Sequence, residues 1–250
     1  MLTDPVFYLF AIPAVMFAGI SKAGFGSGAS FAAAPLLALI VEPAVALGIM
    51  LPLLMLVDAV TLRPYWKRWS LPDAKLLILG SVPGVALGAW LYQVANADIF
   101  RLLIGAISIA FVAYQIAGRR GLIRAAAIPL GRTIGLFTGT VAGFTSFVSH
   151  AGGPPVAVYL LSRGLEKTTY QATTVLTFWA VNILKFVPYA FLGIFTIETG
   201  LVNLALAPVA LLGAWLGVLA HRVVPERVFF AITYVLLLTT GSKLIFDALT

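Results

Sequence analysis

Apolar stretches of about 20 residues recur along the whole chain and are separated by short polar segments. A helix of about 20 apolar residues crosses roughly 30 Å of hydrocarbon. The stretches are continuous and rich in Leu, Ala, Val and Gly, whereas the strands of a membrane β-barrel alternate lipid-facing with lumen-facing residues. The pattern therefore predicts an all-α polytopic membrane protein. Uninterrupted spans are expected over residues 44–62, 76–94, 99–117, 172–193, 201–220 and 228–249.

Two further apolar stretches are broken by segments rich in small and polar residues. The first break covers residues 21–28 and the second covers residues 145–153. Each break has apolar residues on both sides, so each predicts an interrupted helical hairpin. Such a hairpin either crosses the membrane twice or enters and returns on one side. The flanking apolar stretches are residues 5–20, 29–41, 133–144 and 154–161.

The two halves of the chain resemble each other. A shift of 124 residues places Gly28 on Gly152, and a shift of 125 residues places Leu-Gly-Ala-Trp-Leu at 87–91 on the same five residues at 212–216. Small residues match by chance in membrane helices, but a pentapeptide containing Trp, nearly in register with the other matches, is more specific. We therefore expect an internal duplication within one transporter domain. The domain is predicted to cover residues 1–250, with repeat one over 5–117 and repeat two over 133–249.

The composition agrees with a membrane protein and excludes several other classes. The 250 residues are 61% hydrophobic and only 10% charged, with a mean hydropathy of +1.05. A soluble domain of this length carries about a quarter charged residues. The chain has no cysteine and two histidines, so disulfides and thiolate metal sites are excluded. We expect no metal site and no cofactor.

The basic residues are concentrated on one side of the predicted topology. Four loops hold 12 of the 16 Lys and Arg residues, and counting spans places all four on the same side. Cytoplasmic loops of membrane proteins carry an excess of Lys and Arg, so this rule explains the net charge of +7 without a nucleic acid partner. The C-terminus is predicted to lie outside. The cytoplasmic loops are expected at 63–75, 118–132, 163–171 and 221–227.

Each predicted repeat consists of an interrupted or re-entrant hairpin followed by three transmembrane helices. The hairpin contributes an even number of crossings and the three helices an odd number. The second copy is therefore expected upside down relative to the first. Inverted-topology repeats are common in secondary transporters, which hold the substrate near the bilayer midplane between interrupted helices.

The first break contains a lysine and closely spaced glycines, which suit an anion site. Gly26 and Gly28 allow backbone N–H groups to approach a ligand closely, and Ser27 adds a hydroxyl. The helix that restarts after the break points its positive N-terminal end into the gap. Lys22 adds a full positive charge. The alternative is a glycine-rich packing surface with Lys22 reaching to the membrane interface.

The second break offers hydroxyl, imidazole and backbone donors. Ser149 and His150 precede Gly152 and Gly153, and Pro154 then suits the first turn of a restarting helix because proline has no N–H. Since the repeats are predicted to be inverted, the two restarting helices are expected to converge from opposite sides on one anion site. For His150, a packed and hydrogen-bonded histidine with no contact to substrate is the alternative.

Three polar residues within uninterrupted spans are candidates for coupling or for the substrate pathway. Asp58 and Asn182 are related by the 124-residue shift, and Lys185 lies about one helical turn after Asn182. Ionisable residues inside a membrane are rare and are usually functional. Asp58 could couple transport to protons or lie at the interface near Arg63. Aromatic residues near helix ends are expected to anchor at the interface, namely Tyr65, Trp66, Trp69, Tyr170 and Tyr189.

Both breaks resemble motifs of a known family. Residues 19–28, Gly-Ile-Ser-Lys-Ala-Gly-Phe-Gly-Ser-Gly, resemble the N-terminal motif of the TauE/SafE-type sulfite and organosulfonate exporters. Residues 143–155, Gly-Phe-Thr-Ser-Phe-Val-Ser-His-Ala-Gly-Gly-Pro-Pro, resemble the matching motif of its second half. The resemblance spans the chain and implies a permease of the bacterial inner membrane for sulfite, an organosulfonate or a related sulfur-containing anion. The residues alone indicate an oxyanion.

The leading hypothesis is a secondary transporter of a small anion that works by alternating access in the lipid bilayer. An anion channel with the same repeats is the first alternative. A membrane-embedded enzyme is the second, but it needs a nucleophile–base or metal constellation that His150 and its neighbouring serines do not supply. No Gly-x-x-x-x-Gly-Lys-Ser/Thr nucleotide loop is present. The sequence leaves open coupling to a proton or another ion, and a homo-oligomer.

Overall fold

The computed structural model describes residues 4–24, 30–122, 129–223 and 226–250, and the described residues form helices without strands. Short 3-10 turns precede α2 and follow α3. The helices are α1 (Pro5–Gly24), α2 (Ala33–Ala38), α3 (Pro43–Leu62), α4 (Leu71–Val94), α5 (Ala97–Arg119), α6 (Arg132–Ser149), α7 (Gly153–Ser162), α8 (Lys167–Phe191), α9 (Ile197–Val223) and α10 (Glu226–Leu249).

Within the described part of the chain, seven helices are long and apolar enough to cross a membrane. This confirms the prediction of an all-α polytopic membrane protein. Leu79 and Trp90 are examples of large apolar side chains that α4 exposes on the outer surface, where a soluble protein would carry charge. The candidate spans are Pro5–Gly24, Pro43–Tyr65, Leu71–Val94, Ala97–Arg119, Lys167–Phe191, Ile197–Gly217 and Val228–Leu249.

Both breaks are shorter than the sequence pattern predicts. Helix α1 continues to Gly24 and α6 continues to Ser149, although small residues at these positions favoured an earlier end. The reason is packing: a Cβ on Gly24 would lie 2.3 Å from the carbonyl oxygen of Gly217 in α9. The small residues therefore bring two helices together in addition to ending one of them. Residues 26–28 of the predicted site lie outside the described residues.

Two pairs of helices pack through glycines, α1 against α9 and α4 against α6. A Cβ on Gly84 of α4 would lie 2.0 Å from the carbonyl oxygen of Thr140 in α6, and one on Gly80 would lie 2.3 Å from that of Leu136. Residue numbers rise together along both helices, so α4 and α6 run parallel. Helices α1 and α9 run parallel for the same reason, since Gly213 approaches Met16 and Gly217 approaches Ile20.

Helices α5 and α10 pack against each other in the opposite sense. Gly105 of α5 approaches Gly241 of α10, whereas Phe111, further along α5, contacts the ring of Tyr234, which is earlier in α10. The guanidinium of Arg119, near the end of α5, also lies over the Tyr234 ring. Rising residue numbers in α5 meet falling residue numbers in α10, so the two helices are antiparallel.

The order of elements in residues 5–119 recurs in residues 132–249. In both halves a broken helix pair is followed by three long helices. The helix α3 begins after Glu42 with φ −57° and ψ 145°, and α8 begins after Glu166 with φ −56° and ψ 147°. These two glutamates are related by the 124-residue shift.

The shared pentapeptide has the same environment in both halves. Trp90 is 59% exposed and Trp215 is 60% exposed, and the leucines three residues before them are also exposed alike. The glycines of the pentapeptide face inward: Gly88 meets the ring of Phe147, and Gly213 meets the backbone of Met16. The sequence match therefore marks equal positions on the outside of the molecule.

The second hairpin enters and returns at the same end of the molecule. The backbone N–H of Leu130, just before α6, donates to the hydroxyl of Ser162 at the end of α7, at 3.2 Å. Arg163, the next residue, donates through Nε to Oδ1 of Asp73 near the start of α4, at 2.9 Å. The tip of the hairpin lies at His150, between α6 and α7. The two arms of this hairpin therefore begin and end at the same end of the molecule.

The loops that carry most of the basic residues meet at this end. Asp73 also accepts hydrogen bonds from Ser70 and from the buried Tyr159, and the backbone N–H of Ser70 donates to Thr173 near the start of α8. The start of α4, the end of α7 and the start of α8 are thus tied together. At the other end, the α2–α3 and α4–α5 connections border one cavity of about 250 Å³, lined by Glu42, Pro43, Ala44, Tyr92, Ala95, Asn96, Ala97 and Phe100.

Candidate functional site

A buried ion pair joins α1 to α3. Nζ of Lys22 donates to Oδ2 of Asp58 at 2.8 Å, and both side chains are buried. Nδ2 of Asn182 in α8 donates to the same oxygen at 2.7 Å. The other oxygen, Oδ1, is buried and has no hydrogen-bond partner among the residues described. An interfacial Asp58 and a Lys22 that reaches the membrane interface are therefore both wrong.

Lys185 is fully buried and has only neutral hydrogen-bond partners. Its Nζ donates to the carbonyl oxygen of Ser146 at 3.0 Å and lies 2.8 Å from Nδ1 of His150. Where the chain is described, no carboxylate forms a salt bridge with Lys185. It lies close enough to Lys22 and Asp58 to interact with both electrostatically. We call Lys22, Asp58, His150, Asn182 and Lys185 the central polar cluster.

With Lys185 protonated, its contact sets the tautomer of His150. A charged ammonium group can only donate, so Nδ1 is then the acceptor, and the neutral ring carries its proton on Nε2. This Nε2 is buried beside the backbone of Leu47 and makes no hydrogen bond of normal geometry with any described residue. In that state the N–H of His150 is a buried donor without a well-placed acceptor among the described residues.

His150 has an unusual backbone conformation, and its imidazole ring is directed towards Lys185. His150 has φ 57°, a left-handed conformation that non-glycine residues rarely adopt. Its N–H donates to the carbonyl oxygen of Ser146 and so closes the last turn of α6. The residue thus ends the helix as the C-terminal cap of α6, a position at which glycine is more usual. The imidazole projects from this cap towards Lys185.

Each lysine lies at the C-terminal end of a broken helix. Lys22 is in the last turn of α1, and Lys185 binds a carbonyl in the last turn of α6. The C-terminal end of a helix carries about half a negative charge on its unpaired carbonyls. Tyr189 completes the second end, because its hydroxyl donates to the carbonyl oxygen of Phe147 at 2.6 Å. The interfacial role predicted for Tyr189 is wrong, since its side chain is fully buried.

The cluster carries an excess of positive charge. With both lysines protonated, Lys22 and Lys185 bring two positive charges and Asp58 brings one negative charge. A buried charge without a partner is costly. The carbonyls at the end of α6 offset part of the charge of Lys185 but supply no full anion. A small anion next to Lys185 and Nε2 of His150 would make the cluster neutral.

The restarts of the two broken helices meet in one place. Phe31 and Ala32, just after the first break, belong to the same buried apolar cluster as Ala151, just after the second break. Phe111 of α5 and Leu237 of α10 complete this cluster together with Val112. The residues that follow the two breaks therefore pack together inside the protein. Lys22, His150 and the polar residues of α3 and α8 form the central polar cluster.

The structure brings together Lys22, His150 and the three candidates from α3 and α8. Of the other predicted residues, Gly26, Ser27 and Gly28 lie outside the described residues, and Ser149, Gly152 and Gly153 make internal contacts. The hydroxyl of Ser149 donates back to the carbonyl oxygen of Thr145 within α6, at 3.2 Å. A Cβ on Gly152 would lie 2.8 Å from the Phe178 ring. Gly153 is buried as the first residue of α7.

Sequence reasoning did not identify two parts of the site. The carbonyls of Ser146 and Phe147 are bound by Lys185 and Tyr189, and backbone acceptors leave no signature in a residue pattern. One signal was available: the 124-residue shift places Ser146 on Lys22. This equivalence indicates that the end of α6 corresponds to the end of α1, where the sequence itself carries a cation. Ser21, with a buried hydroxyl that has no partner among the described residues, also borders Lys22.

Comparison with known proteins connects this arrangement with transport. No curated protein and no solved structure matches the chain. The family model described as "Sulfite exporter TauE/SafE" matches residues 11–244, a range that includes both breaks and every residue of the central polar cluster. Because the match covers nearly the whole sequence, the protein belongs to the TauE/SafE sulfite exporter family of membrane transporters.

Proposed function

We propose that the protein moves a small oxyanion across the bilayer, namely sulfite, an organosulfonate or a related sulfur-containing anion, and that the anion binds at the central polar cluster. The observation that carries the proposal is that two buried lysines share one carboxylate. Lys185 has no carboxylate partner among the described residues, and Nε2 of His150 has no well-placed acceptor among them. Oxyanions supply the oxygen acceptors that both groups lack.

The substrate would be surrounded by elements of both halves. Lys22 and Asp58 come from the first half, and His150, Asn182 and Lys185 come from the second. Among the described residues Lys185 forms no salt bridge, so an incoming anion does not have to break one. This keeps the free-energy cost of binding at Lys185 low. The sulfur in the assignment rests on the family, whereas the charge and donor pattern support an oxyanion of any kind.

We further propose that the two halves are inverted copies that rock about this site. Asp58 and Asn182 are equivalent positions and contact each other at 2.7 Å, as expected for residues next to a two-fold axis. Helices α5 and α10 are equivalent and antiparallel where they meet. The packing of α1 on α9 is matched by that of α6 on α4, which is the pattern that exchange of the two halves produces.

Alternating access follows from this symmetry. If each half can adopt the conformation that the other half shows, exchanging the two conformations would turn the site from one side of the membrane to the other. At the end that carries the basic loops, Asp73 accepts hydrogen bonds from both Tyr159 and Arg163. A shift of 124 residues places Tyr159 on Pro35 and Arg163 on Leu39, so these two donors have no polar counterpart in the first half.

The test is binding of anions to purified protein. A thermal-shift panel of sulfite, methanesulfonate, isethionate, sulfate, acetate and chloride should show stabilisation by sulfite or a sulfonate, because a ligand that binds only the folded state stabilises it. Lys185→Met should weaken that binding roughly 10- to 100-fold, the range of about 1.5 to 3 kcal/mol for a hydrogen bond to a charged group. Lys243→Met is the control, because Lys243 is exposed and pairs with Asp247 on the surface.

Three outcomes contradict the proposal in different ways. If no anion in the panel binds, the anion assignment fails. If Lys185→Met binds the anion as tightly as the wild type, the site is wrong. A channel would show linear, unsaturable flux in proteoliposomes, whereas a carrier shows counterflow: labelled anion accumulates when vesicles are preloaded with unlabelled anion. The absence of counterflow would favour the channel.

A further inference from the structure

We propose that Asp58 is a proton site and that the transporter binds one proton together with each anion; this inference rests on the proposed function. The carboxylate of Asp58 is fully buried within the protein. Its Oδ2 is bound by Lys22 and Asn182, while Oδ1 has no partner among the described residues. A buried bare carboxylate oxygen can be satisfied by a proton.

The position of Asp58 makes it compete with the substrate. It holds Lys22 in the empty protein, so that Lys22 offers no free charge to an anion. It also lies close enough to Lys185 for the two to interact electrostatically. An anion that binds Lys185 therefore approaches the negative carboxylate of Asp58, and the two repel each other. A proton on Oδ1 removes this repulsion.

The charge of the cluster depends on the protonation of Asp58. With Asp58 ionised, the cluster has one net positive charge; with Asp58 protonated, it has two. The step is that a proton from water forms an O–H bond at Oδ1, the salt bridge between Asp58 and Lys22 is lost, and the released ammonium group of Lys22 binds the anion. No electron is transferred, and one proton is taken up for each anion.

The other titratable groups around Asp58 have partners or positions of their own. Lys22 comes from α1 and is the cation of the salt bridge with Asp58, and Lys185 comes from α8 and donates to the carbonyl oxygen of Ser146. His150 contacts Lys185 through Nδ1, and Tyr189 donates to a backbone carbonyl. The 3-10 turn after α3 carries the exposed Arg63 and the partly buried Tyr65. Helix α2 and the central turns of α5 and α9, which also pack on α3, contain no titratable residue.

Proton and anion binding should therefore favour each other by the same factor. In the wild type, the affinity for methanesulfonate should fall about tenfold for each unit of rising pH, since the complex holds one more proton than the empty protein. Methanesulfonate is the probe because it stays a monoanion throughout, whereas sulfite itself takes up a proton near neutral pH. Asp58→Asn keeps the shape of the side chain but cannot titrate, so its affinity should not change with pH.

The direct measurement is proton uptake. Purified protein in weak buffer with a pH-indicator dye is mixed with methanesulfonate, or with sulfite if only sulfite binds. The wild type should take up about one proton per bound anion, Asp58→Asn should bind with no more uptake than the probe itself accounts for, and Asp98→Asn, an exposed carboxylate paired with Arg101, should behave as the wild type. If Asp58→Asn does not fold, the pH dependence of the wild type still decides.

The outcomes separate this inference from the proposed function. Binding of methanesulfonate to the wild type with no proton uptake and no pH dependence overturns the proton site and leaves anion binding intact. Equal uptake by wild type and Asp58→Asn overturns the assignment to Asp58. Failure of every sulfonate and of sulfite to bind overturns the proposed function itself.

Discussion

Lys22 and Asp58 stabilise each other, and neither is stable alone in its surroundings. Both are buried, and the pair is completed by Asn182. Removing one partner of a buried pair leaves the other as an unpaired charge in a medium of low polarity, which costs about 3 to 5 kcal/mol. Replacing both charges by neutral groups avoids that cost. The pair is therefore better tested for stability by two substitutions than by one.

We predict that Lys22→Met lowers the free energy of unfolding by about 3 to 5 kcal/mol, because Asp58 is left without a cation. The double variant Lys22→Met with Asp58→Asn should recover most of this loss. The neutral amide at residue 58 can still accept a hydrogen bond from Asn182. Thermal unfolding of purified protein in detergent measures both.

The control for this comparison is Asp58→Asn alone, which leaves Lys22 buried without its carboxylate. It should also be less stable than the double variant. If the double variant is as unstable as Lys22→Met alone, the two residues do not act as a pair. Loss of anion binding in Lys22→Met is informative only after this comparison, since an unfolded fraction would also reduce binding.

Among the elements, the contacts of α4 with α6 and of α1 with α9 depend on glycines that leave no room for a side chain. Gly84 is the tightest of these contacts, with Thr140 at 2.0 Å from an added Cβ. Without a hydrophobic force between helices in lipid, close backbone packing is a main source of their association. Even a methyl group at Gly84 would push the two helices apart.

We predict that Gly84→Ala destabilises the protein by about 1 to 3 kcal/mol, the usual cost of overpacking a tight core position. The matched control is Gly200→Ala in the first turns of α9, where an added Cβ meets no atom within 4 Å. That variant should be as stable as the wild type or slightly more stable, because alanine favours a helix more than glycine. Equal melting temperatures for both variants would contradict the packing of α4 on α6.

The second hairpin provides a further prediction at this scale. Since Leu130 and Ser162 are in contact, Leu130→Cys combined with Ser162→Cys should form a disulfide under mild oxidation. The natural chain has no cysteine, so these are the only two thiols. Loss of labelling by a polyethylene glycol maleimide, seen as a missing gel shift, reports the bond.

A control pair of cysteines distinguishes a disulfide between neighbouring residues from one that forms by random collision. Leu130→Cys combined with Glu42→Cys places the thiols at opposite ends of the described helices, and both should stay reactive after oxidation. If Leu130→Cys and Ser162→Cys also remain reactive, the hairpin does not return to the end where it begins, and the packing of its two ends is wrong.

The helices were predictable because membrane spans need long apolar runs and short polar connections. The ends of the breaks were not, because glycine and serine at residues 21–24 and 145–149 weaken a helix in isolation, whereas close packing on α9 and α4 keeps it intact. The charged members of the site could be found because ionisable residues in apolar spans stand out. Their pairing could not, since it depends on which helices are neighbours in space.

At the scale of the whole molecule, the charge distribution and the packing point to the same topology. The α3–α4 connection and the α7–α8 connection are tied together through Asp73 and Arg163, and both carry basic residues. Parallel packing of α4 with α6 requires these two helices to start from the same side. Antiparallel packing of α5 with α10 requires equivalent helices of the two halves to cross in opposite directions. The inverted arrangement proposed above satisfies all three conditions.

The inversion is testable with single cysteines at exposed positions of the cysteine-free chain. Glu42 and Glu166 are equivalent residues of the two halves, and both are exposed at the starts of their helices. If the halves are inverted, Glu42→Cys should react with a membrane-impermeant maleimide in intact cells, and Glu166→Cys should react only after the membrane is opened. Trp66→Cys, in the basic α3–α4 connection, should behave as Glu166→Cys does. Labelling of Glu42→Cys and Glu166→Cys from the same side would mean that the copies are parallel, and the two broken helices could then not approach the central polar cluster from opposite sides of the membrane.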